Sequence, residues 1–312
     1  MMEKKMRGSS KKLYLVFVAI AFLTLFACGS APKKDAAELS SPVAVSPVKD
    51  IGAALSAEEA VNGSVVLLKI VAPDSAGEAS VEYEGRELPV FPLSNGETVS
   101  LVPVPFDRKP GPSVVKVRFG DITEIKIHEI PLRVLDGGYP SEVLRVDPKQ
   151  IKPPKKYIKR IMRESREIGA LYRRITPAVL WNGPFRMPIQ SAITSSYGTR
   201  RVYNGEVNGF HQGVDLKAAR GTPVRASAGG VVAMAKNLYF TGWTVILDHG
   251  YGIFTVYGHM NKLKVRRGAK VKAGQLVGLS GMTGRSSGPH LHWGVVVSRV
   301  KINPLEFMKV VK

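Results

Sequence analysis

Short apolar stretches separated by turn residues run through the first half of the chain. Val65–Val71 is an apolar run, and Val115–Phe119 alternates apolar and basic residues. Gly120 and Asp121 then precede Ile125–Ile127, a pattern typical of a β-hairpin. Several strands at this spacing, with many prolines and no helical period, predict a small immunoglobulin-like β-sandwich. We place this accessory domain at residues 61–148.

The apolar period becomes helical between about residues 154 and 175. Lys and Arg fill the gaps between apolar residues that recur at helical spacing, namely Ile158, Ile161, Met162, Ile168, Leu171, Tyr172 and Ile175. Prolines at 153, 154 and 177 bound the segment. This predicts a basic linker helix within residues 149–180, which packs one apolar stripe on a neighbouring domain. A helix that lies on a membrane surface is the alternative.

The N-terminus combines five basic residues with the apolar run Leu13–Phe26. This run is shorter than the roughly 20 residues of a membrane span, so residues 1–27 are predicted to be a signal peptide. Leu25–Cys28 resembles the lipobox of bacterial lipoproteins, which are cut before a cysteine that is then lipidated. The resemblance implies lipid attachment at Cys28, with an uncleaved N-terminal anchor as the alternative. Residues 28–60, rich in Ala, Ser, Pro and Val, are predicted to be a flexible tether.

Charge is distributed unevenly along the 312 residues. The 45 Lys and Arg exceed the 25 Asp and Glu, a net charge of +20, yet residues 28–148 carry 12 basic and 18 acidic side chains. Residues 181–312 carry 18 basic and 4 acidic ones, which suits an anionic partner. Export argues against nucleic acid as that partner. The single cysteine excludes an intramolecular disulfide and a zinc site built from cysteines.

Five of the six histidines lie between residues 211 and 292. His211 precedes Asp215 by four positions, with a glycine between them. His290 and His292 are two apart, so on a β-strand they point to the same face. Two histidines and a carboxylate suit a catalytic zinc site with a fourth position open for water. The chain has no HExxH motif, which excludes the thermolysin-type arrangement.

Four motifs together are more specific than either histidine pair alone. They are GFHQGVDL from Gly209, GTPV from Gly221, VYGHM from Val256 and TGRSSGPHLHWG from Thr283. In this order they resemble the M23 family of zinc metallopeptidases, also called the lysostaphin or LytM type, from about residue 185 to 307. The resemblance implies a peptidase domain at residues 181–312, with an antiparallel β core and its site in a groove. The whole chain is therefore expected to be mainly β.

The resemblance also implies roles for five residues. His211, Asp215 and His292 would bind one Zn²⁺ ion, and His259 and His290 would be catalytic residues that flank the attacking water. Zinc lowers the pKa of its water to about 7, and histidine has an unperturbed pKa of ~6.5, so proton transfer between them is nearly balanced. Which histidine is the general base stays open, and no residues are assigned to an organic cofactor.

His249 lies outside these motifs, whereas Tyr257 and Arg285 lie within them and each have two interpretations. His249 is expected in the turn of a hairpin, without a chemical role. Tyr257 either faces the cleft or packs in the core, and Arg285 either meets a substrate carboxylate or is solvated.

The resemblance implies a zinc-dependent endopeptidase that hydrolyses peptide cross-links or stem peptides of bacterial peptidoglycan, with a D-Ala to diamino-acid cross-link as the preferred bond. The alternative is a non-catalytic peptidoglycan-binding regulator that activates a separate cell-wall hydrolase. Either protein would be exported and anchored by its lipid to the cell envelope, at the periplasmic face or the cell surface. The identity of any protein partner stays open.

Overall fold

The computed structural model describes residues 52–71, 78–120, 125–144, 153–203 and 206–311. The predicted signal peptide, Cys28 and most of the tether lie outside the described residues. Strands precede the first helix as follows: β1 (Gly52–Leu55), β2 (Glu59–Val61), β3 (Val65–Val71), β4 (Ala79–Tyr83), β5 (Arg86–Leu88), β6 (Val90–Pro92), β7 (Thr98–Pro103), β8 (Gly111–Gly120), β9 (Ile125–Leu135) and β10 (Ser141–Leu144).

Two sheets built from β1 to β9 pack face to face. One has the order β1-β3-β7-β6 and the other β2-β9-β8-β4-β5. Leu68 and Val102 of the first sheet share a buried core with Val117 and Leu132 of the second. The sheets pack because alternate residues of each strand point into this core. The immunoglobulin-like topology stays a prediction.

The predicted hairpin is present. Strands β8 and β9 pair antiparallel from Gly111 opposite Val134 to Gly120 opposite Ile125. The predicted strand at 65–71 coincides with β3.

Helix α1 (Lys155–Tyr172) follows the sandwich. Its C-terminal part packs against the sheet of the second half through Leu171, Ile168 and Tyr172. Ile158 and Met162 are exposed, so the predicted apolar stripe is buried only toward the end of the helix.

Polar contacts hold the middle of α1. The carboxylate of Glu164, which is 6% exposed, accepts hydrogen bonds from Arg160 Nε at 2.6 Å and from the Tyr239 backbone N–H at 2.8 Å. An apolar period cannot reveal such a buried ion pair.

The second half of the chain forms antiparallel strands and a short helix. The strands are β11 (Ile193–Ser195), β12 (Arg200–Tyr203), β13 (Glu206–Phe210), β14 (Val214–Lys217), β15 (Pro223–Arg225), β16 (Gly230–Leu238), β17 (Gly242–Gly250), β18 (Ile253–Leu263), β19 (Lys270–Val271), β20 (Leu276–Ser280), β21 (His290–Val297) and β22 (Val300–Ile302). Helix α2 (Pro304–Val310) ends the described chain.

Most of these strands join one large sheet, with the order β11-β14-β21-β18-β17-β16-β19 and with β15, β20 and β22 attached. A separate three-stranded sheet has the order β10-β12-β13. The fold is therefore mainly β with an antiparallel core, as the sequence predicts. No helix of the described residues is long and apolar enough to cross a membrane.

The two faces of the large sheet have different neighbours. On β21, Leu291, Trp293 and Val295 point into the main core. The intervening residues of β21 point to the opposite face, where Val296 packs beside Leu171 of α1. His292 precedes Val296 by four positions and therefore lies on the same face, which α1 partly covers.

The sandwich also contacts the second half of the chain. Phe91 of β6 stacks on Tyr251, with ring centroids 4.7 Å apart, and meets the edge of Trp181 at 6.0 Å. Phe91, Val99 and Leu101 belong to the same buried cluster as the large sheet.

Candidate metal centre

Two adjacent strands place Asp215 beside His292. Strands β14 and β21 pair antiparallel with Asp215 directly opposite His292. Opposed residues of an antiparallel pair project to the same face, so the two side chains meet. Asp215 Oδ1 lies 3.0 Å from His292 Nδ1.

His211 completes a triangle of ligand atoms. It follows β13, and its Nε2 lies 3.0 Å from Asp215 Oδ1 and 3.0 Å from His292 Nδ1. A tetrahedral zinc ion with bonds of ~2.1 Å separates its ligand atoms by roughly 3.4 Å. The three atoms thus need to move apart by only a few tenths of an ångström, and two imidazoles with one carboxylate are a donor set that zinc accepts. The site fits the ion.

The second nitrogen of His211 fixes its tautomer. Nδ1 lies 3.0 Å from the carbonyl oxygen of Ser196. A carbonyl only accepts hydrogen bonds, so Nδ1 carries the proton and Nε2 turns a lone pair toward the triangle. Zinc binds this form of imidazole.

Gly213 permits the close approach of His292. A Cβ built at Gly213 would lie 2.5 Å from the Trp293 carbonyl oxygen and 2.8 Å from Cε1 of His292. Any larger residue would push the imidazole away from Asp215. The glycine between His211 and Asp215 in the sequence motif therefore has a steric cause.

Two further imidazoles border the triangle. His290 Nε2 is 3.6 Å from Asp215 Oδ1, and the rings of His259 and His290 lie 4.7 Å apart between centroids. Their Nδ1 atoms donate to backbone carbonyls, His290 to Gly288 at 2.9 Å and His259 to Thr283 at 2.8 Å. Each ring is therefore held with a free lone pair on Nε2. The structure brings together all five residues that the sequence singles out.

His259 has an unusual backbone conformation, with φ at +57°. This left-handed region is costly for a residue with a side chain, and such strain concentrates at functional sites. The register of β18 also shifts between Met260 and Lys262. The left-handed conformation interrupts the regular alternation of side-chain directions along β18 at His259. A positive φ at a histidine has no signal in the sequence motif.

Thr283 joins the loop before β21 to β17 and β18. Its hydroxyl donates to the Met260 carbonyl at 2.6 Å and accepts from the Trp243 backbone N–H at 2.9 Å. Its own carbonyl holds His259. Thr283 opens the fourth motif, but nothing in the sequence marks it as a positioning residue.

Burial and hydrogen bonding set the charges at the site. Burial raises the pKa of Asp215, but the adjacent imidazoles of His211 and His292 outweigh it whenever they are protonated and hold the pKa well below its usual range. Burial lowers the pKa of His259 to about 4, against the opposing hydrogen bond to Thr283. Asp215 is therefore charged and His259 neutral at pH 7.

His249, Tyr257 and Arg285 lie outside the triangle. His249 is not in the turn; it is buried in β17, where its ring contacts the Gly229 carbonyl at 2.6 Å and the Thr255 hydroxyl at 2.7 Å. Tyr257 is buried in the core, and its hydroxyl accepts from the Ser227 N–H at 2.8 Å. Arg285 is exposed.

Comparisons with known proteins agree with this geometry. Residues 209–304 match the model of peptidase family M23. Peptidoglycan DD-endopeptidase ShyA of Vibrio cholerae serotype O1 is 39% identical over 124 residues, 39% of this chain and 29% of that protein. DD-carboxypeptidase/endopeptidase Mpg of Neisseria meningitidis serogroup B is 35% identical over 117 residues, 38% of this chain and 27% of that protein. The chain thus spans less than a third of these relatives.

A solved structure extends the similarity beyond the peptidase motifs. A Pseudomonas aeruginosa protein that carries the M23 peptidase name superposes with a TM-score of 0.62 at 27% identity, and the match covers 80% of this chain and 95% of that one. Residues 209–304, in which all five motif positions are filled, are thus similar to peptidase family M23.

Proposed function

We propose that the protein is a zinc-dependent endopeptidase that hydrolyses peptide cross-links or stem peptides of bacterial peptidoglycan. The triangle of His211 Nε2, Asp215 Oδ1 and His292 Nδ1, with 3.0 Å sides, carries this proposal. ShyA and Mpg, whose names describe peptidoglycan endopeptidases, support the substrate class.

His211, Asp215 and His292 would hold a single ion. When bound, zinc acts as a Lewis acid and lowers the pKa of a coordinated water to about 7. His259 and His290 serve proton transfer, because each presents Nε2 with a lone pair while Nδ1 is tied to a carbonyl. A neutral imidazole accepts the proton of the attacking water, and an imidazolium gives one to the amine as the C–N bond breaks.

The alternative, a non-catalytic regulator of another hydrolase, is less well supported. Such a protein needs no intact ligand set and no strained His259 beside it. The chain keeps all three ligands and both flanking histidines, which favours catalysis.

Hydrolysis can be tested on purified peptidoglycan with protein that lacks the first 28 residues. We expect soluble peptides to be released, the release to stop with a chelator, and zinc to restore it. His290→Ala should lose at least a hundredfold in rate, while His128→Ala, on β9 of the sandwich, should match the wild type. Equal release by wild type and His290→Ala would refute the proposal.

We also propose, from the N-terminal sequence, that the protein is exported and anchored to the cell envelope through a lipid on Cys28. Labelling with a radioactive fatty acid in the native host should mark the wild type and leave Cys28→Ser unlabelled. Labelling of both proteins would contradict the anchor without bearing on the peptidase.

A further inference from the structure

Lys301 lies on the same sheet face as the ligand His292. It stands on β22 directly opposite Val296 of β21. Opposed residues share a face, and Val296 shares its face with His292 four positions earlier. Between them Gly294 has no side chain, so the long side chain of Lys301 reaches across β21 and donates to Gln212 Oε1. Gln212 directly follows the candidate ligand His211.

A cavity of about 120 Å³ lies between Lys301 and His292, one of the three candidate ligands. Its lining includes His292, Lys301 and Gln212, together with Thr241 and with Ile168 and Tyr172 of α1. The helix closes one side, so a bound group would lie between α1 and the sheet. The volume equals roughly four water molecules at about 30 Å³ each. That space suits a carboxylate and one or two carbons.

The ammonium group of Lys301 has few partners in the part of the chain that the structure describes. Gln212 is its side-chain partner there, and no described carboxylate forms an ion pair with it. Burial lowers the pKa of Lys301, which reflects the cost of holding a charge there. Gln212 uses one of the three N–H donors of an ammonium. A half-buried cation with spare donors beside a cleft is suited to bind an anion.

We propose that Lys301 binds a free carboxylate of the substrate within one residue of the scissile bond, and so selects peptides with that carboxylate over their amidated counterparts. This rests on the proposed function, since His292, a candidate ligand of the metal centre, lines the cavity. Lys301 is thus a specificity-determining residue. A purely structural role, in which Lys301 only orients Gln212 beside His211, predicts no such selection.

Two cross-linked peptides that differ only in a carboxylate or a carboxamide beside the scissile bond provide the test. For the wild type we expect kcat/KM on the carboxylate peptide to exceed that on the amide by about tenfold to a hundredfold. Lys301→Met should remove most of this difference by slowing the carboxylate peptide and sparing the amide. Lys301→Arg should keep much of it, and Lys272→Met, at an exposed position, should match the wild type.

The outcomes separate the two proposals. Cleavage of neither peptide by the wild type would refute the proposed function. Equal kcat/KM of the wild type on both peptides, measured without any variant, would overturn the role of Lys301 and leave the peptidase intact. Equal losses on both peptides in a folded Lys301→Met, with unchanged zinc content, would also overturn it in favour of the structural role.

Discussion

Asp215 and His292 face each other across β14 and β21 with 3.0 Å between Oδ1 and Nδ1, and Asp215 Oδ1 is equally close to His211 Nε2. One carboxylate oxygen thus touches both imidazoles. Asp215 is the shared member of the triangle, and its charge is the only negative one among the three ligands.

Replacement of Asp215 by Asn should therefore abolish zinc binding at nearly constant shape. The amide keeps the volume but removes the charge that the ion needs. We expect the zinc content to fall from about one ion per chain to below about a tenth, measured by atomic absorption after dialysis, and hydrolysis to fall with it. Full zinc content in Asp215→Asn would contradict the ligand assignment.

A methyl group at Gly213 should disturb the same centre without touching a ligand. The added Cβ of Gly213→Ala would meet the Trp293 carbonyl at 2.5 Å and the His292 ring at 2.8 Å, so the strand or the ring must shift. We expect a loss of about 1–3 kcal/mol in the free energy of unfolding and weaker zinc binding by titration. Gly52→Ala, where a Cβ meets nothing within 4 Å, is the matched control. Equal zinc affinity in both variants would show that the site tolerates the shift.

The sequence is sufficient to predict much of this centre, because each of its motifs is a short continuous stretch of the chain. The spacing of His290 and His292 places both on one face of a strand, and β21 has that geometry, with both rings near Asp215. The pairing of β14 with β21 joins residues 77 positions apart. Only the family resemblance linked the two histidine motifs; their spacing alone did not.

Features that depend on distant contacts were not predictable in this way. The left-handed backbone of His259 follows from its hydrogen bonds to Thr241 and Thr283, which come from two other segments. The period of α1 predicts a full apolar stripe, yet Ile158 and Met162 are exposed, whereas the charged Glu164 is buried and binds Tyr239. His249 was expected in a turn, but the turn lies two residues later, at Tyr251 and Gly252, where φ is positive.

His249 should make the metal-free protein less stable in mild acid. Burial lowers its pKa to about 4, although the Gly229 carbonyl opposes the shift, and in the unfolded chain the pKa is about 6.5. The unfolded state therefore binds more protons between these values. The stabilisation is complete above pH 6.5 and is lost as the pH falls toward 4.

Urea unfolding at pH 7 and pH 5, with chelator present, measures this effect. The free energy of unfolding of the wild type should be lower at pH 5 than at pH 7, and His249 should account for about 2 kcal/mol of this decrease. The variant His249→Asn has no titrating group at this position, so its decrease should be smaller by that amount, although it is less stable than the wild type at pH 7. Parallel losses in the two proteins would contradict a buried neutral His249.

Phe91 should couple the sandwich to the large sheet. Its ring is buried, stacks on Tyr251 at 4.7 Å and meets Trp181 at 6.0 Å, so Phe91→Ala would empty a space between the two parts. We expect the free energy of unfolding to fall by about 3–5 kcal/mol, measured by thermal and urea denaturation. Ile125→Ala, at a side chain that is 60% exposed on β9, should change it by less than about 0.5 kcal/mol.

The number of unfolding transitions distinguishes two outcomes. If Phe91→Ala gives two transitions, of which the one for the second half of the chain is unchanged from wild type, the sandwich contributes nothing to the stability of that half. A single transition at a lower urea concentration would show that the two parts unfold together, because a shared core makes their loss cooperative.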